Sequence, residues 1–281
     1  MRRQQHGVAI VLAMGVVALA ALAATAMMVA QSTWSRQIEL TTGRAQAQFL
    51  LQAGLDWARA VLSDDQRASN VDHLDEPWAL RLPAIPVDNG SLAGQIEDQQ
   101  GKFNLNNLSQ NGKVNAAQLA AFQRLLSILA LPPTLADALA ERIHAGQRPL
   151  SDVAELAVVN GFDEGVRTRL RPFVTALPRT TAVNPNTATP EVLAAVIEAL
   201  DLDAARAIIA QRERTHFRNH ADFFSQLPRG LIVPNELITV NSDYFLASLR
   251  VNIGGAQARG VALLAREKTG GWPTIVWRKY P

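Results

Sequence analysis

The sequence predicts an α+β protein: a long N-terminal helix packed on an antiparallel sheet, with a large all-α domain inserted into that sheet. Three observations predict it. An uncharged apolar run passes without a breaker into an amphipathic helical pattern over residues 8–62. Strand signals lie on both sides of the middle of the chain, and residues 113–240 carry helical patterning almost throughout. With 48% hydrophobic and only 19% charged residues, the 281-residue chain can bury the cores that such a plan needs.

The helix comes first. From Val8 to Ala30 there are 23 uncharged residues, which at helical rise span roughly 35 Å, enough for a bilayer core of about 30 Å. Arg2 and Arg3 precede the run. Positive flanks stay cytoplasmic, so residues 1–7 are expected inside and everything after Ala30 across the membrane. A cleaved secretory signal is the competing reading, since ALAATA (Ala21–Ala26) could supply its small-x-small site. The apolar run continues past that site through Met27, Met28 and Val29. Beyond it, Trp34, Ile38, Ala45, Phe49, Ala53 and Trp57 recur at spacings of four and seven, one stripe expected to pack against the head. A single helix from Val8 to Leu62 would be roughly 80 Å long.

The sheet is read from the flanks of the middle region. Residues 63–90, rich in Asp, Asn and Pro, read as a loop. A strand at Leu92–Glu97, a turn at Gln99–Gly101 and a strand at Phe103–Leu105 read as a hairpin, which assigns 63–112 to the sheet head. Tyr244–Ile253, Ala258–Arg266 and Pro273–Tyr280 add three strands over 241–281, with turns at Gly254-Gly255 and Gly270-Gly271.

The inserted segment, 113–240, repeats itself. Thr189 before Pro190 and Glu191, and Ser151 with Asp152, are helix starts. Shifted by 70 positions, Leu135, Leu139, Arg142 and Asp152 fall on Ala205, Ile209, Arg212 and Asp222, the pattern of a duplicated helix-hairpin-helix (SAM-like) unit. Such units bind DNA elsewhere through Gly amides that cradle phosphate, so a membrane-anchored DNA receptor of the competence type is the rival function. The hairpin positions here hold LALPPT and LDLD, and 13 Lys and Arg between Lys113 and Asn235 face 12 Asp and Glu. Binding driven by phosphate needs uncompensated cations, so no nucleic acid is expected.

The chain shows little reaction chemistry. It has no cysteine, which removes disulfides, thiolate catalysis and Cys-ligated zinc. P-loop, G-x-S-x-G and H-E-x-x-H patterns are missing, so an enzyme is not expected and no cofactor is required. His216 and His220 have a spacing for metal on one helix face, but Asn219 between them reads as a cap that breaks the helix. Asp201 and Asp203, and the loop acids Asp72, Asp75 and Glu76, offer oxygens of the kind calcium takes, without the spacing of an EF-hand loop.

Five stretches carry a family resemblance. Gly7 stands between a short basic leader and the apolar helix, as in type IV pilins and pseudopilins. LDEPWA (Leu74–Ala79), IEDQQGKFNLNNL (Ile96–Leu108), VNPNTATPEVL (Val183–Leu193) and PTIVWRKYP (Pro273–Pro281) follow in order. Together they resemble the general secretion pathway protein K family, the large minor pseudopilins of type II secretion systems. The resemblance implies a pilin-like fold and a prepilin peptidase that cuts after Gly7, with methylation of the Val8 amine. It also implies an inner-membrane anchor with the N-terminus cytoplasmic and the bulk periplasmic. It places the chain at the tip of a periplasmic pseudopilus with minor pseudopilins I and J, in reach of cargo and secretin, and it implies calcium sites. Most pilins carry Glu at the fifth mature position; here it is Leu12. That Glu pairs with a neighbour's N-terminal amine in lipid. A subunit with Leu12 can offer its amine but not the carboxylate, which suits a chain that starts an assembly. A head with about 120 extra residues is also too wide to stack repeatedly around a thin filament.

Overall fold

The N-terminal pattern folds as one unbroken helix, α1 (Gln5–Ala68), which at 64 residues is roughly 96 Å long. The structure, a computed structural model, describes residues 5–87, 90–110, 112–146, 148–267 and 271–280. A 3₁₀ turn at Pro77–Ala79 leads from α1 into the antiparallel neighbours β1 (Leu82–Val87) and β2 (Gly90–Asp98). The chain then leaves the sheet. The inserted segment contains the two-residue strands β3 (Phe103–Asn104), β4 (Ser109–Gln110) and β5 (Lys113–Val114), then α2 (Ala116–Ile128), α3 (Leu135–Gly146) and α4 (Glu164–Leu170). It continues through β6 (Val174–Thr175), α5 (Pro190–Val196), α6 (Leu202–Arg212) and α7 (His220–Phe224). The chain returns as β7 (Tyr244–Ile253), β8 (Ala256–Ala265) and β9 (Thr274–Lys279). The five long strands form one antiparallel sheet in the order β1-β2-β7-β8-β9, so the insertion separates two strands that are neighbours in space.

Alternation decides how β7 sits. Phe245, Ala247, Leu249, Val251 and Ile253 are buried on one face, where they meet Ala47, Leu51, Leu55, Ala58 and Leu62 of α1. The close approach needs a small residue on the helix: a Cβ at Gly54 would lie 2.9 Å from a Leu249 methyl. Gly254 and Gly255, with φ of 51° and 82°, close the two-residue turn between β7 and β8, where both residues must adopt the left-handed conformation.

Three expectations need correction. The stripe of Trp34, Ile38, Ala45, Phe49, Ala53 and Trp57 is the exposed side of α1, and the row Gly43, Ala47, Leu51, Leu55, Ala58 and Leu62 packs on the sheet. Small residues in that row let the helix lie flat, which the aromatic row cannot do. The stretch read wholly as loop, 63–90, contains β1, an edge strand whose prolines, Pro83 and Pro86, hide the strand pattern. The hairpin of 92–97 with 103–105 does not form. β2 pairs along its length with β7, while Phe103 and Asn104 pair in parallel with Val174 and Thr175. Phe103, Leu105 and Leu108 are buried in the core of the inserted domain rather than against the sheet.

In that domain the hairpins α2–α3 and α5–α6 pack on each other through α2 and α5. Each turns through a left-handed alanine, Ala130 (φ 50°) and Ala199 (φ 60°), which marks the duplication in the backbone itself.

Candidate assembly site

The first half of α1 presents apolar side chains on every side: Ile10, Val11, Leu12, Met14, Val17, Leu19, Leu22 and Val29 are all exposed. Among the described residues it is the one helix long and apolar enough to cross a membrane, with a mean hydropathy of 2.4 in its best window. Gly7 and Val8 lie in the helical backbone of its first turn, and residues 1–4 of the leader lie outside the described residues. Leu12 is 65% exposed on this surface, and the first carboxylate after it in the chain is Glu39. Beyond the apolar run, Trp34, Ile38, Phe49 and Trp57 extend an apolar track along the outer side of the helix, over the head. An exposed track of this kind marks an interaction surface.

The root of the inserted domain is the part that sequence reasoning missed. Asp98, at the end of β2, is buried, and its Oδ2 accepts hydrogen bonds from Ser242 Oγ (2.7 Å), Asn184 Nδ2 (3.3 Å) and the Thr187 hydroxyl, while Gln100 N donates to Oδ1 (2.7 Å). The Asp72 carboxylate accepts from Ser242 N (2.7 Å) and from the Arg266 guanidinium, which also pairs with Asp65 and lies 4.4 Å above the Phe245 ring. These groups come from both crossings of the chain, the end of α1 and the end of β8, so one buried polar cluster ties the insertion to helix and sheet. Burial pushes the Asp72 carboxyl up to about 7 against the pull of Arg266. Burial also pushes Asp98 and Glu76 above the usual carboxylate range.

The family-like stretches have structural explanations in the same terms. In IEDQQGKFNLNNL, Asn106 donates to Leu150 O (2.9 Å) and Leu177 O (2.7 Å) and accepts from Leu150 N (2.8 Å). Asn107 exchanges a pair of bonds with the backbone of Thr181. In VNPNTATPEVL, Asn186 does the same with Phe217. A side-chain amide can satisfy an N–H and a C=O at once, so these asparagines staple segments that no ladder joins. In LDEPWA, Glu76 Oε2 accepts from His73 N (2.9 Å) and Trp78 Nε1 (2.7 Å), which seats the buried indole edge-on against Phe245. A run of buried Asn reads as loop in a sequence, so only the fold reveals it.

The metal candidates are already engaged. Asp201 caps α6, its Oδ1 accepting from Ala204 N at 2.7 Å, and Asp203 pairs with Arg206 at 2.9 Å. Asp65, Asp72 and Glu76 converge, but the Arg266 guanidinium pairs with the two aspartates and Glu76 accepts from His73 N and Trp78 Nε1, so these oxygens are not free to ligate a calcium ion. His216 and His220 do not share a helix face: Asn219 caps α7, His220 Nε2 bonds Ile238 O (2.8 Å), and His216 stacks on His73.

Comparison with known proteins decides the family. Residues 183–241 and 101–179 match two family models, each described as type II secretion system, protein K. Over 306 aligned residues the chain is 32% identical to type II secretion system protein K of Pseudomonas aeruginosa, covering 96% of this chain and 91% of that protein. The chain belongs to the type II secretion system protein K family. The Klebsiella pneumoniae protein K is 29% identical over 100% of this chain and 98% of its own length. A chain in the crystal structure of the GspK-GspI-GspJ complex of enterotoxigenic Escherichia coli shares the fold, with a TM-score of 0.74 and 24% identity over 86% of this chain and 98% of that one. As a protein K family member the chain is a minor pseudopilin of type II secretion, with α1 as its single membrane anchor. Membership in this family disfavours the DNA receptor.

Proposed function

We propose that this protein K family member starts and caps the periplasmic pseudopilus, beside minor pseudopilins I and J, after a prepilin peptidase cuts between Gly7 and Val8. In this reading Arg2 and Arg3 hold the leader on the cytoplasmic side and the head stands in the periplasm. The observation that carries it is Leu12. A chain whose membrane segment offers an amine at Val8 and no carboxylate can be joined from one side only, which is the property of an end. The bulk of the inserted domain supports the same position, since repeated copies would collide. The partners are supported by the shared fold with a chain that was crystallised with GspI and GspJ. The exposed track from Trp34 to Trp57 gives their helices a place to lie. The role is one of assembly and requires neither catalysis nor a cofactor.

Leu12→Glu tests the reading. Restoring the carboxylate gives the subunit a second joining face, so the variant is expected to enter the filament away from its end and to reduce secretion. Unchanged tip occupancy and secretion would overturn the role given to this position. Mass spectrometry of the mature chain tests the processing step separately: Val8 methylated at its amine is expected, and an intact Met1 or a start near Met27 would refute it.

A further inference from the structure

The two faces of the sheet are covered unequally. α1 takes one of them. On the other, the inserted domain touches the sheet through Leu177 on Tyr244 and Leu263, and through an ion pair from Lys279 Nζ on β9 to Asp152 Oδ2 at 2.8 Å. Beside these contacts lies a cleft of about 580 Å³, open to solvent. That is within the range of roughly 300–1,000 Å³ that holds a ligand of peptide-fragment size.

Its walls differ in chemistry. The floor is a strip of sheet made by Leu246, Val261, Leu263 and Trp277, with Ser248 between them. The rim carries four cations, Lys102, Arg167, Arg171 and Lys279, against two carboxylates, Asp152 and Glu164. Arg167 pairs with Glu164, Lys279 with Asp152, and Lys102 with Glu97 just outside the cleft at 3.6 Å. Arg171 is exposed and has no carboxylate within ion-pair distance among the described residues.

We propose that this cleft docks an acidic segment of a protein partner. Its apolar side chains lie on the sheet strip, and its carboxylates meet Arg171 first and the rest of the cationic rim second. Charge complementarity selects the sign of the partner, because the rim holds more cations than the cleft itself neutralises. The apolar floor selects a polypeptide over a small anion, since a bare carboxylate gains nothing from Leu246, Val261 or Leu263. A free guanidinium at the rim can take a carboxylate in two parallel hydrogen bonds, which Lys102 and Lys279 cannot do. The inference depends on the packing of the insertion over the sheet and not on where the chain stands in an assembly.

The test uses the full chain in detergent and fluorescence anisotropy of a short fluorescein-labelled peptide of alternating leucine and aspartate. Its counterpart of alternating leucine and lysine controls for micelle binding. Saturable binding of the acidic peptide is expected, at least about tenfold tighter than that of the basic one, and weakening as salt is added. Arg171→Glu is expected to weaken it roughly tenfold, and Ser248→Trp, which fills the cleft from its floor, to abolish it with an unchanged melting temperature. Arg171 is exposed, so its variant keeps the question open even if a tryptophan at 248 disturbs the fold. Equal binding of the two peptides, or affinity unchanged by Arg171→Glu, overturns the proposal. Displacement of the acidic peptide by a single-stranded oligonucleotide overturns the choice of a protein as occupant.

Discussion

The imidazole rings of His73 and His216 stack face to face, their centroids 3.7 Å apart and their planes within 7° of parallel. His73 lies in the segment between α1 and β1, and His216 in the loop between α6 and α7, so the stack joins the stem to the insertion. Burial lowers both pKa values below the ordinary 6.5, and the charge of His73 lowers His216 further, while Asp75, with Asp65 at His73 and Glu76 at His216, pulls the other way.

A pH dependence follows from that pair. The unfolded chain takes up protons below about pH 6.5, before the stacked rings do. The contribution of the pair is therefore complete above that value and is lost as pH falls through the lowered folded pKa values. Replacing His216 with Gln removes the contribution of that ring and leaves that of His73. The stability difference between the native chain and His216→Gln is expected to shrink as pH is taken from about 7 to about 5, read from urea midpoints at each pH.

Arg266 carries the opposite sign. Its guanidinium sits between Asp65 and Asp72, and its side chain is only 5% exposed. Arg266→Leu leaves buried carboxylates without a cation, a loss of about 3 kcal/mol or more when they are ionised. Asp72 has its folded pKa raised to about 7, so its protonated form is favoured in the fold, and stability falls as pH rises from the unfolded value towards 7. Without Arg266 the raised pKa climbs further. The variant should be most defective at about pH 8 and recover towards about pH 5, in thermal melts of the detergent-solubilised chain.

Asn106 makes three backbone hydrogen bonds with its side-chain amide, to Leu150 and Leu177. Asn106→Leu keeps the branched side-chain skeleton and deletes all three, at about 1 kcal/mol each. A loss of about 3 kcal/mol in urea unfolding is expected. An effect within about 0.5 kcal/mol, the size of an ordinary surface change, would show that the staple is not needed.

Much of this was legible in the sequence where a periodic pattern meets a buried face. β7 alternates with period two, and Phe245, Ala247, Leu249, Val251 and Ile253 all point to α1, so its bounds and its inner face can be read directly. The helix was legible as one continuous element, although it runs on from Leu62 to Ala68 into the stretch read as loop, but it was not legible in facing. Two apolar rows coexist on it, and periodicity cannot say that the row with Gly43, Ala47 and Gly54 is the one that packs. Side-chain bulk favours the aromatic row, while close approach favours the small one. Phe103 and Asn104 find their partners about 70 residues away at Val174 and Thr175, a pairing fixed by the core of the insertion that no local signal encodes. Of the assembly site, the leader boundary at Gly7 and the departure at Leu12 are sequence features outright. The polar root around Asp72, Asp98, Asn184 and Arg266 is assembled from four distant segments and exists only in the fold.

Removal of divalent cations is expected to leave the melting temperature unchanged. Asp201 is used by the cap of α6, Asp203 by Arg206, and the converging Asp65, Asp72 and Glu76 by Arg266 and Trp78. Calcium binds sites built from six to eight oxygens free of competing cations. A melt with and without a chelator checks this, and a clear loss of stability with the chelator would mean that other oxygens hold an ion.

The two rows of α1 give the sharpest separation of stability from assembly. Leu51 is 1% exposed between α1 and the sheet, and Phe49 is 77% exposed only two residues away, on the opposite side of the helix. Leu51→Ala opens a cavity against the sheet and is expected to cost about 2–5 kcal/mol. Phe49→Ala removes a side chain that buries little in the isolated chain, and its melt should stay within about 0.5 kcal/mol of the parent. Phe49 and its neighbours Trp34, Ile38 and Trp57 form a track on which partner helices would bury apolar area, and aromatic anchors carry much of such binding. Co-purification with minor pseudopilins I and J should therefore fall for Phe49→Ala at unchanged stability. A variant of Phe49 that melts normally and still co-purifies in full would show that the partners do not use this face.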